Sequence, residues 1–243
     1  MNQRAHPTVR PYALALGVVP RRGVEDQLSF LGPVAAQDLA SALLLDTLGA
    51  LSTFPVRHRV VFTDGADTIT NHTRLPATWR ELAQRGESPT ERLEASFQDL
   101  LALGAEAMLL VTADGPMLPL AQMFDGMMWL LPKNRLLLGA NERSGLYALG
   151  AADRVPFVSA TFTGEDLGVM THVSAPAKAE ADTLVGSLAE ANGLEVTKLP
   201  RSYRIEDRAS LARLHEEIRG GMFAPQTRKL LERPDFADRK SVV

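Results

Sequence analysis

Asp114 is the residue best placed to do chemistry in this chain. It lies in the stretch Met108-Leu-Leu-Val-Thr-Ala-Asp114-Gly-Pro-Met-Leu118, where an uncharged apolar run gives way to one acid and a Gly-Pro turn. A short run of this kind reads as an interior strand of a parallel sheet, and the carboxyl edge of such a sheet is where ligands bind. A carboxylate there can give Mg²⁺ or Mn²⁺ one or two oxygens while phosphate and water complete the octahedron. An Asp before Gly-Pro also serves as a plain turn former or helix cap.

The second candidate is the loop Pro20-Arg21-Arg22-Gly23-Val-Glu-Asp-Gln27. It follows the first apolar run, a position where parallel sheets receive phosphates, and Arg21 and Arg22 could clamp them. Glu25 and Asp26 would repel the same anion, so a solvated arginine pair is the competing reading.

These residues need a frame. Apolar runs at residues 12–19, 58–63, 107–112 and 135–139 read as strands, and residues 194–199 as a later one. Residues 33–51 carry Leu39, Leu43, Leu44 and Leu48 at helical spacing, with Pro33 near the start. Residues 76–85 are expected to be a polar helix. A second begins at Ser88-Pro89-Thr90-Glu91, a capping box, and runs to about residue 103. Residues 118–131 are helical in pattern and rich in Met, which suits core filling or a substrate groove. Beyond the fourth strand, residues 140–150 give a turn and an apolar segment that could pair antiparallel. Helices follow at 177–192, closed by Gly193, and at 208–219, with a short one near 226–232. Strands alternating with helices make an α/β three-layer sandwich on a mostly parallel, mixed sheet. We expect an N-terminal extension (1–11), one domain (12–219) and a C-terminal tail (220–243).

Composition narrows the function classes. A charge of -3 offers no basic field for nucleic acid or an anionic membrane, and no run reaches the ~18 apolar residues of a membrane span. The absence of cysteine removes disulfides, thiolate metal sites and a cysteine nucleophile. The five histidines are dispersed without metal-ligand spacing, and no Walker loop, Gly-x-Gly-x-x-Gly, Gly-x-Ser-x-Gly or His-Glu-x-x-His occurs. With no signal core at the start, the expected location is cytoplasmic.

In order, the segments resemble a bacterial family of glycosyltransferase-like proteins of unassigned substrate. That family has the nucleotide-diphospho-sugar transferase (GT-A, Rossmann-like) fold and is related to the molybdopterin and phospholactate guanylyltransferases. Val18-Val-Pro20-Arg-Arg-Gly23-Val-Glu-Asp-Gln-Leu28 is similar to its loop, Asp46-Thr47-Leu48 to its first helix, and Thr90-Glu-Arg92-Leu-Glu-Ala-Ser-Phe97 to its Gly-Glu-Arg-Leu segment. Asp114-Gly-Pro-Met-Leu118 is similar to its Asp-Ser-Pro-x-Leu metal motif. The resemblance implies a nucleotide or nucleotide sugar held by Arg21, Arg22, Gly23 and Arg92, and Mg²⁺ or Mn²⁺ held by Asp114 and Glu206. It also implies a small acceptor at Arg143, Gly145 and Tyr147.

The departures are specific. The family's loop lysine falls at Val18 and its Lys-Thr-Arg at Glu25-Asp26-Gln27. Its late Asp-Val-Asp-Thr-Pro-Glu-Asp-Leu becomes Arg204-Ile-Glu206-Asp207-Arg-Ala-Ser-Leu211. Metal-dependent glycosyl or nucleotidyl transfer is therefore one expectation, and a catalytically degenerate ligand- or protein-binding module the other.

Overall fold

The structure is a computed structural model that describes residues 13–20, 28–63, 74–143, 145–152, 186–187, 189–191 and 193–237. A seven-stranded sheet runs through it. Its strands are β1 (Leu14–Val19), β2 (His58–Thr63), β3 (Arg80–Ala83), β4 (Ala107–Thr112), β5 (Arg135–Ala140), β6 (Leu146–Ala152) and β7 (Glu195–Lys198). The spatial order is β3-β2-β1-β4-β6-β5-β7. The β6 strand pairs antiparallel with both β4 and β5, while every other pairing is parallel. The sandwich is therefore mixed but mostly parallel, as its sequence pattern predicts.

Alternation along β1 assigns the two faces. Leu14, Leu16 and Val18 join one buried cluster, and Ala15 joins the other with Val60 and Phe62. The first face is covered by α1 (Pro33–Leu51), α3 (Leu120–Trp129), α4 (Arg208–Arg219) and α5 (Pro225–Leu231). The second is covered by α2 (Pro89–Ala102), through Leu93, Phe97 and Leu100. By length and composition α1 could cross a membrane. Here it is a core helix, with Leu39, Leu44 and Leu48 fully buried and α5 packed along it. The amides of Gln226 and Thr227 donate to the carboxylate of Asp46, which fixes the first turn of α5. A last short helix, α6 (Pro234–Ala237), adds Phe236 to the same core.

Two elements differ from expectation. Residues 76–85 hold no helix; β3 lies there as an edge strand. Its Arg-Glu-Leu-Ala sequence favours a helix weakly, but β2 would otherwise leave a row of peptide groups unpaired. Trp79, whose indole N–H donates to Ser52 Oγ at 2.8 Å, anchors the entry to it. The α3 helix starts at Leu120 rather than 118 because Leu118 precedes Pro119, whose ring excludes it from helical backbone. Met123 and Met127 are fully buried, so the methionines of α3 fill core. The capping box at Ser88 and Glu91 forms as its sequence predicts. Of the helix expected at 177–192, only residues 186–187 and 189–191 are described, and they are helical.

Candidate functional site

The order of the sheet creates one switch point. The chain builds outward from β1 through β2 to β3, then returns to place β4 on the other side of β1. Their carboxyl ends diverge there, and ligands of open α/β sheets bind in the resulting crevice. Asp114 follows β4 at this edge, and the Ala113 amide donates to the Val19 carbonyl at 3.2 Å, tying the two strand ends together.

An extended strap after β7 lies across the edge. Ser202 bridges to Asn141, its hydroxyl donates to the Met117 carbonyl at 2.7 Å, and the Ile205 amide donates to the Asp114 carbonyl at 3.3 Å. Gly115 makes this approach possible, since a Cβ there would stand 2.6 Å from the Tyr203 carbonyl oxygen. The strap delivers Arg204. Its Nη2 lies 2.7 Å from Asp114 Oδ2, and both side chains are buried, at 6% and 0% exposure. The alignment falls short of a hydrogen bond, so this contact is held by charge proximity. Thr112 donates its hydroxyl to the other oxygen of Asp114. On its far side Arg204 Nε is 3.7 Å from Glu206 Oε1, and Glu206 Oε2 is 3.8 Å from Arg143.

Asp207 ends the strap as the cap of α4, accepting from the Ser210 amide at 2.7 Å and from Arg143. Those donors, the Ser210 amide foremost, pull its carboxyl down to about 2. A depressed carboxylate adds stability above the ordinary value of about 4, and that stability is lost as pH falls from there toward 2. Asp207→Asn should therefore flatten the acid limb of thermal stability between pH 4 and 2. Circular-dichroism melts across that range would show it.

Beside the strap is a cleft of about 160 Å³ whose walls include Asn141, Arg143, Tyr203, Arg204, Glu206 and Arg213. Arg213 stacks on the Tyr203 ring at 3.8 Å and pairs with Glu142 at 2.7 Å. Asn141 is 4% exposed, and among the described residues neither of its amide atoms has a hydrogen-bond partner.

The residues singled out from sequence separate into three groups. Asp114, Glu206 and Arg143 come together through Arg204. Gly145 and Tyr147 stand behind them in structural roles. Gly145 has φ +75° in the hairpin between β5 and β6, and its carbonyl accepts from the Asn141 amide at 2.9 Å. Tyr147 is 1% exposed and donates to the Pro200 carbonyl at 2.7 Å; burial pushes its phenol up. Tyr147→Phe should therefore lower stability by about 1 kcal/mol, the worth of one hydrogen bond, and leave ligand binding unchanged. Urea unfolding beside a binding titration separates these effects. Arg92 donates to the carbonyls of Glu87 (2.6 Å) and Gly86 (3.4 Å), bracing the loop ahead of α2. Arg21, Arg22 and Gly23, with Glu25 to Gln27, lie outside the described residues.

Arg204, Asn141 and Arg213 were missed from sequence. The available signal for Arg204 was its position between Tyr203 and Ile205, a cation flanked by residues that are both buried.

Mg²⁺ needs near-octahedral oxygens at about 2.0–2.1 Å and keeps several waters. Both oxygens of Asp114 already have partners, and a guanidinium lies between Asp114 and Glu206. Among the described residues no group of three His, Asp or Glu side chains could hold a metal. As arranged, these residues do not fit a divalent ion, and the expected Asp114–Glu206 ligand pair is instead bridged by Arg204.

A family model described as "Uncharacterized protein conserved in bacteria" (DUF2064) matches residues 47–168, just over half of the chain. The chain belongs to this family. The matched region of this DUF2064 member contains β4, Asp114 and the β5–β6 hairpin. A search of curated proteins found no match. Among solved structures, the chain is similar to a candidate nucleotide-diphospho-sugar transferase from Desulfovibrio desulfuricans G20. The TM-score is 0.68 at 16% identity, covering 93% of this chain and 94% of that one. It is also similar to CMP:2-keto-3-deoxy-manno-octonic acid synthetase complexed with CTP (TM-score 0.55, 11% identity, 86% and 99% covered). A third is 4-diphosphocytidyl-2C-methyl-D-erythritol synthase from Anaerococcus prevotii DSM 20548 (TM-score 0.52, 10% identity, 86% and 96% covered). At these identities the likeness is one of fold, the nucleotide-diphospho-sugar transferase fold.

Proposed function

We propose that this DUF2064 member binds a nucleotide or nucleotide sugar across the carboxyl ends of β1 and β4 and transfers a glycosyl or nucleotidyl group to a small acceptor. The observation that carries this reading is the buried Asp114–Arg204 pair at the switch point, beside a cleft bordered by charged residues such as Arg143, Glu206 and Arg213. Two structurally similar proteins, a candidate nucleotide-diphospho-sugar transferase and a synthetase complexed with CTP, support the ligand class. At about 160 Å³ the cleft is below the ~300 Å³ at which drug-sized ligand sites begin. It therefore suits the acceptor, with the nucleotide lying toward the end of β1.

At the wall of the cleft the buried Asn141 amide carries one donor pair and one acceptor without a partner among the described residues. Asn141→Leu removes buried polar atoms that lack partners, so stability should hold or rise by about 1 kcal/mol while acceptor binding weakens. Thermal melts and acceptor titration by NMR should move in opposite senses.

The function itself is tested by a thermal-shift panel of nucleotides and nucleotide sugars, with and without Mn²⁺, followed by ³¹P NMR of any ligand that binds. At least one should bind, and in the presence of an acceptor its phosphorus resonances should change to those of product. No shift at millimolar ligand would exclude the reading. The cytoplasmic location and the small acceptor belong to this proposal.

A second reading has an observation of its own. Arg204 neutralises the carboxylate most suited to chemistry, as a binding module derived from a transferase would allow. A ligand that shifts the melt and remains intact for days with every acceptor tested would favour it.

A further inference from the structure

We infer that the guanidinium of Arg204 is the built-in cation of this site, standing where a divalent ion would otherwise neutralise Asp114, and that the protein binds its anionic ligand without divalent metal. This inference rests on the ligand class proposed above, but its metal half stands on geometry alone.

Asp114 is fully buried, and a buried carboxylate needs a cation and hydrogen bonds to remain charged. In this chain both are internal: the Arg204 guanidinium at 2.7 Å and the hydroxyl of Thr112. Arg204 is held rather than mobile. The strap on either side of it is fixed by Ser202 to Met117 and by Ile205 to Asp114, and its own exposure is 7%. A divalent ion would have to displace a fixed cation from a closed pocket and then find water and carboxylate oxygens in the same space. It would also sit beside the positive charge it failed to displace.

The same arrangement gives the guanidinium work to do. Arg204 borders the cleft, where its positive charge attracts a phosphate or carboxylate group. An anionic group entering the cleft meets a built-in cation that needs no metal supply. Arg143 and Arg213, each already paired with carboxylates at the rim, supply direction more than net charge. The ligand's affinity then follows from preorganisation of the strap, and a chelator leaves it unchanged.

Substituting Arg204 by Asp would remove the cation and leave carboxylates at positions 114, 204 and 206 around the vacated space. The test is a Mn²⁺ titration followed by the electron paramagnetic resonance of the free ion, with no nucleotide present. The proteins are wild type, Asp114→Asn, Arg204→Asp and the Arg204→Asp/Asp114→Asn double variant. Wild type should leave Mn²⁺ free, and folded Arg204→Asp should take up one equivalent at least tenfold more tightly. The double variant should lose that gain. One equivalent bound by wild type and lost in Asp114→Asn would overturn the inference, even if Arg204→Asp did not fold. Folded Arg204→Asp that remains indifferent to Mn²⁺ would overturn it too. For any nucleotide that shifts the wild-type melt, affinity in EDTA should lie within twofold of that in Mn²⁺, and a tenfold gain with Mn²⁺ would overturn the ligand half. If no nucleotide binds, the proposed function fails while the wild-type Mn²⁺ result still decides the metal half.

Discussion

Asp114→Ala should destabilise the protein by about 3–5 kcal/mol, because it removes the nearer counter-charge of the buried Arg204 guanidinium and leaves it Glu206 at 3.7 Å. Arg204→Met should cost a similar amount by leaving the carboxylate with the Thr112 hydroxyl but without the guanidinium. The double variant Asp114→Ala/Arg204→Met should recover much of the loss, since replacing a buried pair by apolar groups is often close to neutral. Urea unfolding of the four proteins gives the coupling energy directly, and a positive coupling of several kcal/mol is expected. A metal-ligand role predicts the opposite sign. Without metal, an acidic ligand cluster repels itself, so removing one carboxylate would leave stability unchanged or raise it. A neutral Asp114→Ala with no coupling to Arg204 would show that the two do not form a buried pair in solution.

The difference between what the sequence discloses and what it hides follows from locality. The β1, β2, β4 and β5 strands announce themselves because each is a short apolar run buried on both faces. The α1 and α2 helices are equally plain, one by leucine spacing and the other by the Ser88–Glu91 box, whose reciprocal bonds span three residues. The β3 strand is hidden because its Arg-Glu-Leu-Ala sequence carries no strand signal. Only the free edge of β2, some 20 residues earlier, makes it one. Asp114 could be found from its run and turn. Its partner could not, because Arg204 lies 90 residues away and reaches Asp114 on an irregular strap held by side-chain and single backbone bonds. Tyr147 shows the converse failure. Motif position suggested an acceptor contact, but a register shift between β5 and β6 at Gly139 and Ala140 takes Tyr147 out of alternation, and its ring lies over Gly139 in the core.

Gly115→Ala should be the most damaging small substitution at the site. The added methyl would stand 2.6 Å from the Tyr203 carbonyl oxygen and 3.6 Å from Ser202 Oγ. The nearer contact is to backbone, so no rotamer change relieves it and the strap must lift. Two bonds resist that movement, from Ser202 to Met117 and from Ile205 to Asp114, and both flank Arg204. We expect a loss of about 1–3 kcal/mol, as for other overpacked interiors, together with loss of the ligand-induced thermal shift. Gly49→Ala is the matched control. Gly49 lies in α1 with no atom of the described residues within 4 Å of its added Cβ, so the same change there should stabilise by about 0.5–1 kcal/mol. The contrast separates helix propensity from strap displacement. If Gly115→Ala melts like wild type and still responds to ligand, the strap has freedom that this packing denies it. Arg204 could then leave Asp114 at little cost, and both the buried pair and the metal-free site built on it would have to be given up.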